Sequence, residues 1–312
     1  MTDSRPIAVA CSREELGCAE DRFVLDAFAR LNVDARHVVW DDPSVDWSSF
    51  AAVVIRHTWD YYKHKREQFC EWALRVGAQT NLYNSPETIW RNTHKLYLKQ
   101  LEDRGVPTIP TLFARSGEPR VDLRDLAREM GWTSGVIKPA IGGAAWGLRL
   151  FSMDDIDSAE DHLANLMRDG DVLVQPLVPS IRTKGETSLM FVDREYTHAV
   201  RKVPAGDDVR CQDDHGGAVF MHEPSARELE VARRCNDAWI AETGDVPLYS
   251  RVDLIDIEPP EPGDASMRDE SARVTLLDPR VVEYEVVEPE MFWRFAPGAA
   301  DALARATMRR IG

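Results

Sequence analysis

The 312-residue chain carries 38 Lys and Arg against 53 Asp and Glu, a formal net charge of −15. Such a balance opposes the field of nucleic acids and anionic membranes, which bind through clustered Lys and Arg, so neither is expected as a partner. The length suits two or three packed α/β lobes, and five cysteines without a C-x-x-C pair point to reduced thiols rather than a disulfide framework or zinc ribbon. Near the start, the apolar run Ile7 to Ala10 is too short for a signal sequence or membrane span, and a cytoplasmic location is expected.

In chain order, Ile7 to Cys11 reads as a strand, Asp21 to Leu31 as a helix, and Ala35 to Trp40 and Ala52 to Arg56 as strands; Lys65 to Val76 is helical. This is a βαβ-type unit with a parallel sheet, whose ligand sites lie at the carboxyl ends of its strands. Arg56-His-Thr-Trp-Asp60-Tyr61 falls at such an end. After Ser85-Pro86 a helix is expected from near Thr88 through Leu101, stopped by Gly105-Val-Pro107. Strands at Thr108 to Phe113, Gly135 to Lys138, Gly147 to Phe151 and Asp171 to Gln175 then alternate with helices at Leu123 to Met130 and Ile156 to Met167. Further strands are expected at Thr187 to Val192, Tyr196 to Val203, Pro247 to Ile257 and Val281 to Val287, with a helix at Ala226 to Glu242. The domain expectation is a substrate-binding lobe over 1–86, a central lobe over 87–175 and a C-terminal lobe over 176–312. Residues 258–273, rich in Pro, acids and Ser, read as a solvated insertion.

Two stretches carry chemistry. In Val136-Ile-Lys138-Pro-Ala-Ile-Gly142-Gly143-Ala-Ala-Trp-Gly147, small residues let backbone N–H groups approach anionic oxygens, and a strand-end lysine can reach phosphate. The spacing is neither a Walker A loop nor a Rossmann fingerprint, and flanking strands make it a flap; a plain hairpin with a flexible turn is the alternative. In Arg251-Val-Asp253 and Glu283-Tyr-Glu285 the period of two places each charged pair on one strand face. If the strands are neighbours, three carboxylates form a hard-oxygen site for Mg²⁺ that substrate phosphates complete. A solvent-facing acidic strand is the competing reading, opposed by the apolar flanks Leu276, Leu277, Val281, Val286 and Val287. The histidines lack metal-ligand spacing, and His198 is the one to test.

The ordered set Asn92-Thr-His-Lys95, Gly105-Val-Pro107, Val136-Ile-Lys138 with its flap, Val172-Leu-Val-Gln175-Pro176-Leu177-Val178, Gly185-Glu186-Thr-Ser188, Arg251-Val-Asp253 and Glu283-Tyr-Glu285 resembles the ATP-grasp superfamily over nearly the whole chain. The resemblance implies an α/β ATP-grasp fold behind an N-terminal parallel-sheet lobe. It implies that Lys95, on a helix, and Lys138 contact ATP phosphates, that Gln175, Pro176, Leu177 and Val178 form the adenine hinge, and that Glu186 holds the ribose. Lys202 would approach the γ-phosphate, and Arg251 would stabilise the transferred phosphoryl group. Asp253, Glu283 and Glu285 would hold Mg²⁺, as two ions, with Glu285 standing where many members have asparagine. The phrases Arg56-His-Thr-Trp-Asp60-Tyr61, Glu195-Tyr-Thr-His198-Ala-Val-Arg-Lys202 and Glu283-Tyr-Glu285-Val-Val-Glu288-Pro289 resemble the branch with the D-cycloserine-forming (O-ureido-serine) cyclo-ligase and glutathione-synthetase-type relatives.

The expected chemistry is ATP- and Mg²⁺-dependent activation of a carboxylate as an acyl phosphate, which a nitrogen nucleophile attacks within one molecule or between two. Arg56, Asp60, Tyr61, His198 and Arg210 are candidates to hold a small amino-acid-like substrate, because guanidinium grips carboxylate and Asp pairs with ammonium. Salt-bridged or solvated structural roles are the alternatives for Arg56, Asp60 and Arg210. A kinase on the same fold, or a nucleotide-binding module without turnover, are the rival functions. A homodimer or higher homo-oligomer is compatible with the sequence.

Overall fold

The computed structural model describes residues 4–63, 65–206, 208–211, 216–257 and 278–312. The 258–273 segment, Leu276, Leu277, His64 and His215 lie outside the described residues.

The N-terminal sheet is built from β1 (Ile7–Cys11), β2 (Ala35–Val39), β3 (Ala52–Ile55) and β4 (Asn81–Tyr83), all parallel in the order β2-β1-β3-β4. Its helices are α1 (Asp21–Arg30) and α2 (Arg66–Gly77). The run β1 is fully buried along its length, as a parallel strand covered on both faces must be. The expected single helix after Ser85 is two, α3 (Pro86–Asn92) and α4 (Tyr97–Asp103). Ser85 caps α3 by accepting from the Thr88 N–H, with Pro86 in its first turn. Between the helices the Lys95 N–H leaves the helical ladder and donates to the Ala140 carbonyl at 2.8 Å, so Lys95 sits in a break rather than on a helix.

The central sheet has the order β5-β8-β6-β7, with β5 (Leu112–Ala114), β6 (Ser134–Pro139), β7 (Arg149–Ser152) and β8 (Val172–Pro176), all antiparallel. Helices α5 (Leu123–Met130) and α6 (Ile156–Asp169) cover it. The expected strand from Thr108 shrinks to β5, because Thr108 and Ile109 instead bridge to Val281 of the last strand. The hairpin β6–β7 carries the glycine-rich flap.

After the short α7 (Ser180–Thr183) comes a larger antiparallel sheet in the order β11-β10-β9-β12-β13. It comprises β9 (Glu186–Val192), β10 (Glu195–Val203), β11 (Ala218–His222), β12 (Tyr249–Ile257) and β13 (Asp278–Glu285). Helix α8 (Ala226–Thr243), started by a Ser225/Glu228 capping box and stopped by Gly244 with φ +71°, packs Val231, Cys235 and Trp239 against it. The chain closes with α9 (Pro297–Ile311), whose Ala299, Ala300, Leu303 and Ala304 join Val24, Phe28, Val9 and Met190 in one core. That shared core, with an Arg30–Asp301 ion pair on its rim, ties the N-terminal sheet to the C-terminal one.

Candidate active site

Where the three sheets face one another lies a cleft of about 630 Å³. Its floor is the β12–β13 ladder, in which Arg251 pairs with Glu285 and Asp253 with Glu283. The side chains converge: one oxygen from each of Asp253, Glu283 and Glu285 lies within 4.8 Å of the others. Arg251 spans two of them, with Nη2 2.6 Å from Glu285 Oε1 and 2.8 Å from Asp253 Oδ2, while Ser188 Oγ donates to Asp253 at 2.5 Å. Lys138 Nζ reaches Glu283 Oε1 at 3.2 Å, and Lys95 Nζ lies 3.6 Å from the same atom while donating to the Gly142 carbonyl at 2.8 Å. Lys202 is ion-paired to Glu186 and stands 3.7 Å from Asp253.

The charges act on one another. Burial works to raise the Glu283 carboxyl, but Lys95 and Lys138 outweigh it and hold the group below the ordinary range. Asp253 is likewise lowered against burial by Arg251 and Lys202. Glu285 goes the other way, pushed up to about 8 by burial beyond what Arg251 offsets. Glu186 is raised by burial, whereas Lys202 is held protonated because Asp253 and Glu186 overcome its desolvation. Gly185, with φ +77°, permits the approach of β9 to β10: a Cβ there would lie 2.1 Å from the Lys202 carbonyl oxygen.

Gln175, Pro176, Leu177 and Val178 line the cleft beside Ile181 and Val282, an apolar slot whose hinge is held by a Leu177 N–H to Ser134 O bond. Opposite, Gly142 and Gly143 line the flap, and a Cβ on Gly143 would sit 2.9 Å from the Tyr62 ring of the N-terminal lobe. Asp60, Tyr61 and Arg210 also reach the cleft. Asp60 is bound by Trp40 Nε1 at 2.9 Å and Lys65 Nζ at 2.7 Å, and Arg210 is gripped by its neighbour Asp208.

Two expected substrate residues are not brought there. Arg56 is fully buried behind β3, 3.5 Å from Asp21 and between the Tyr249 and Trp293 rings, because its backbone is the direct continuation of an all-buried strand. His198 points from β10 into the interior, where Nε2 bonds the Met291 carbonyl at 2.9 Å. Conversely His57, Trp59, Tyr62, Glu288, Glu290 and Phe292 line the cleft. Aromatics crowded after a parallel strand end were the signal for the first three, and Glu288 stood without a role in a phrase that carries the family resemblance, whereas Glu290 and Phe292 gave none.

The family profile described as "D-cycloserine synthetase DcsG, N-terminal domain" matches residues 7–84. Over 310 residues the chain is 30% identical to "Cycloserine biosynthesis protein DcsG" of Streptomyces lavendulae, spanning 92% of each. The chain belongs to the DcsG family of ATP-grasp ligases. The crystal structure of D-cycloserine synthetase DcsG superimposes with a TM-score of 0.85 at 27% identity, covering 98% of this chain and 99% of that one. A glutathione synthetase of Agrobacterium fabrum is 27% identical over 169 residues, only 53% of this chain and 49% of that protein. As a DcsG-family member the chain is an ATP-using enzyme that forms C–N bonds. Among the described residues no helix is long and apolar enough to cross a membrane.

Proposed function

We propose that this enzyme converts the carboxylate of a small amino-acid-like substrate into an acyl phosphate at the expense of ATP, and that a nitrogen of the same molecule then displaces the phosphate to close a ring. The reading places it in the biosynthesis of an antibiotic or related amino-acid metabolite. The observation that carries it is the reach of the likeness: the DcsG relative matches along 92% of both chains, N-terminal lobe included, whereas glutathione synthetase matches about half. The division into lobes near residues 86 and 175 belongs to the same proposal, and one sheet within each segment supports it.

The donor set fits Mg²⁺, since three carboxylates with hard oxygens gather at one point and Glu285, held up near 8, is the group whose ionisation a cation restores. Asp253, Glu283 and Glu285 would hold the metal, as two ions, which when bound neutralises charge on the β- and γ-phosphates. Lys95 and Lys138, now beside Glu283, would exchange it for phosphate oxygens. Gln175 to Val178 offer a slot for adenine, and Glu186 a carboxylate for ribose hydroxyls. Lys202 and Arg251 would stabilise the charge that spreads over the γ-phosphoryl group during transfer. Asp60, Tyr61 and Arg210 border the substrate end, and closure of the flap on Tyr62 excludes water from the acyl phosphate. An ADP-release assay with mass analysis tests the reading. An O-ureido-serine offered alone should release ADP and give a smaller cyclic product; release only after a second, separate amine is added would mean intermolecular ligation.

A further inference from the structure

The attacking nitrogen must shed a proton, and the groups assigned above are committed elsewhere: Glu283 to Lys138, Glu186 to Lys202, and Asp60 to Lys65 and Trp40. Glu288 lines the same cleft, three residues beyond Glu285 on the segment that leaves β13 toward the N-terminal lobe. It is met from that lobe twice. Trp59 Nε1 donates to its carbonyl at 3.0 Å, and the Tyr61 phenol lines the cleft beside its carboxyl and acts to lower it. The carboxyl therefore lies between the phosphoryl end and the substrate end, with a phenol beside it.

We propose that Glu288 is a catalytic residue, the base for the second half-reaction; the assignment rests on the acyl-phosphate reading above. The nitrogen–carbon bond forms at the acyl carbon, and the carbon–oxygen bond to the phosphoryl group breaks. Inorganic phosphate leaves with the bonding pair, and the nitrogen's proton passes to a Glu288 carboxylate oxygen. The surroundings suit that task. Burial pushes Glu288 up to about 7, opposed by the Tyr61 hydroxyl and by Lys95 and Arg251, with Glu285 and Tyr249 also facing it. A base of that strength is part-ionised at neutral pH yet strong enough to take a proton in the transition state.

The experiment separates the halves. Hydroxylamine traps the acyl phosphate as a hydroxamate, and product is followed by mass spectrometry. In Glu288→Gln, hydroxamate should form at the wild-type rate while product falls at least about a hundredfold. The wild-type rise in product rate through about pH 7 should vanish. In Tyr61→Phe, which removes a hydroxyl that lowers the group, this limb should move to higher pH. The proposal is overturned if Glu288→Gln keeps product formation and the pH limb, if it loses hydroxamate and product equally, or if the Tyr61→Phe limb stays in place. A wild-type enzyme that yields no hydroxamate would instead defeat the acyl-phosphate reading, and this assignment with it.

Discussion

Asp21, His57, His37 and Arg56 form a buried charge cluster under the cleft. Asp21 Oδ2 lies 3.1 Å from His57 Nδ1 and 3.0 Å from His37 Nε2, with Arg56 at 3.5 Å from its other oxygen. Against the cost of burial, the carboxylate of Asp21 beside its ring raises His57 to about 9. A group with a raised folded-state value contributes stability that is complete below its unfolded value of 6.5 and is lost as pH climbs through 9. Thermal melts should therefore show stability falling between pH 6.5 and 9, by up to about 3 kcal/mol, and the slope should flatten in His57→Gln. Asp21→Asn, which leaves Arg56 without its counter-charge, should cost about 3–5 kcal/mol by denaturant titration. At the metal-type carboxylates, Glu283→Gln should abolish turnover and weaken Mn²⁺ binding measured by electron paramagnetic resonance or calorimetry, while circular dichroism stays native. Wild-type Mn²⁺ affinity in that variant would remove Glu283 from the ligand set. Strand periodicity revealed Arg251, Asp253, Glu283 and Glu285 because it puts each pair on one face, and Lys138 stood at a strand end, whereas Lys95 and Lys202 were legible only through the family resemblance. Residue identity misled at Arg56, since a guanidinium one residue past a strand can continue into the core as easily as turn toward ligand.

At the scale of elements, β13 is an edge strand whose outward backbone groups are nonetheless satisfied. Asn92 Nδ2 donates to the Tyr284 carbonyl at 2.8 Å and its Oδ1 accepts from the Val286 N–H at 3.1 Å, while Tyr97 Oη accepts from the Tyr284 N–H at 3.1 Å. Asn84 bonds the Val286 and Tyr249 carbonyls in the same way. Side chains from the segments around α3 and α4 thus hold the strand that presents Glu283 and Glu285, and they guard an edge otherwise open to pairing. Asn92→Ala, which strips two buried backbone groups of partners, should destabilise the protein by about 2–4 kcal/mol and lower turnover more than ATP affinity. Unchanged stability in chemical denaturation would contradict that role. The break between α3 and α4 was not legible because Trp90, Leu96, Leu98 and Leu101 carry the apolar pattern through the weak helix formers Asn92, Thr93 and His94; the helix is ended there by a tertiary bond from the Lys95 N–H to the Ala140 carbonyl. Helix α9 did carry a signal, a small-residue face at Ala299, Ala300, Leu303 and Ala304 behind Pro297, but alanine gives a weak amphipathic contrast.

For the whole molecule, three sheets meet so that Lys95 and Lys138 come from the central lobe and its approach, Lys202, Arg251 and the clustered carboxylates from the C-terminal sheet, and aromatics from the N-terminal lobe. The α/β fold and its strand order of motifs were readable because each sheet announces itself by hydrophobic period. How the lobes share a cleft was not, because contacts such as Gly143 on Tyr62 and Trp59 on Glu288 join residues far apart in sequence. The central claim is that the substrate carboxylate itself receives the γ-phosphoryl group. Substrate labelled with ¹⁸O in that carboxylate should transfer one ¹⁸O to the inorganic phosphate released with ADP, read by ³¹P NMR or mass spectrometry; phosphate free of the label would contradict the account.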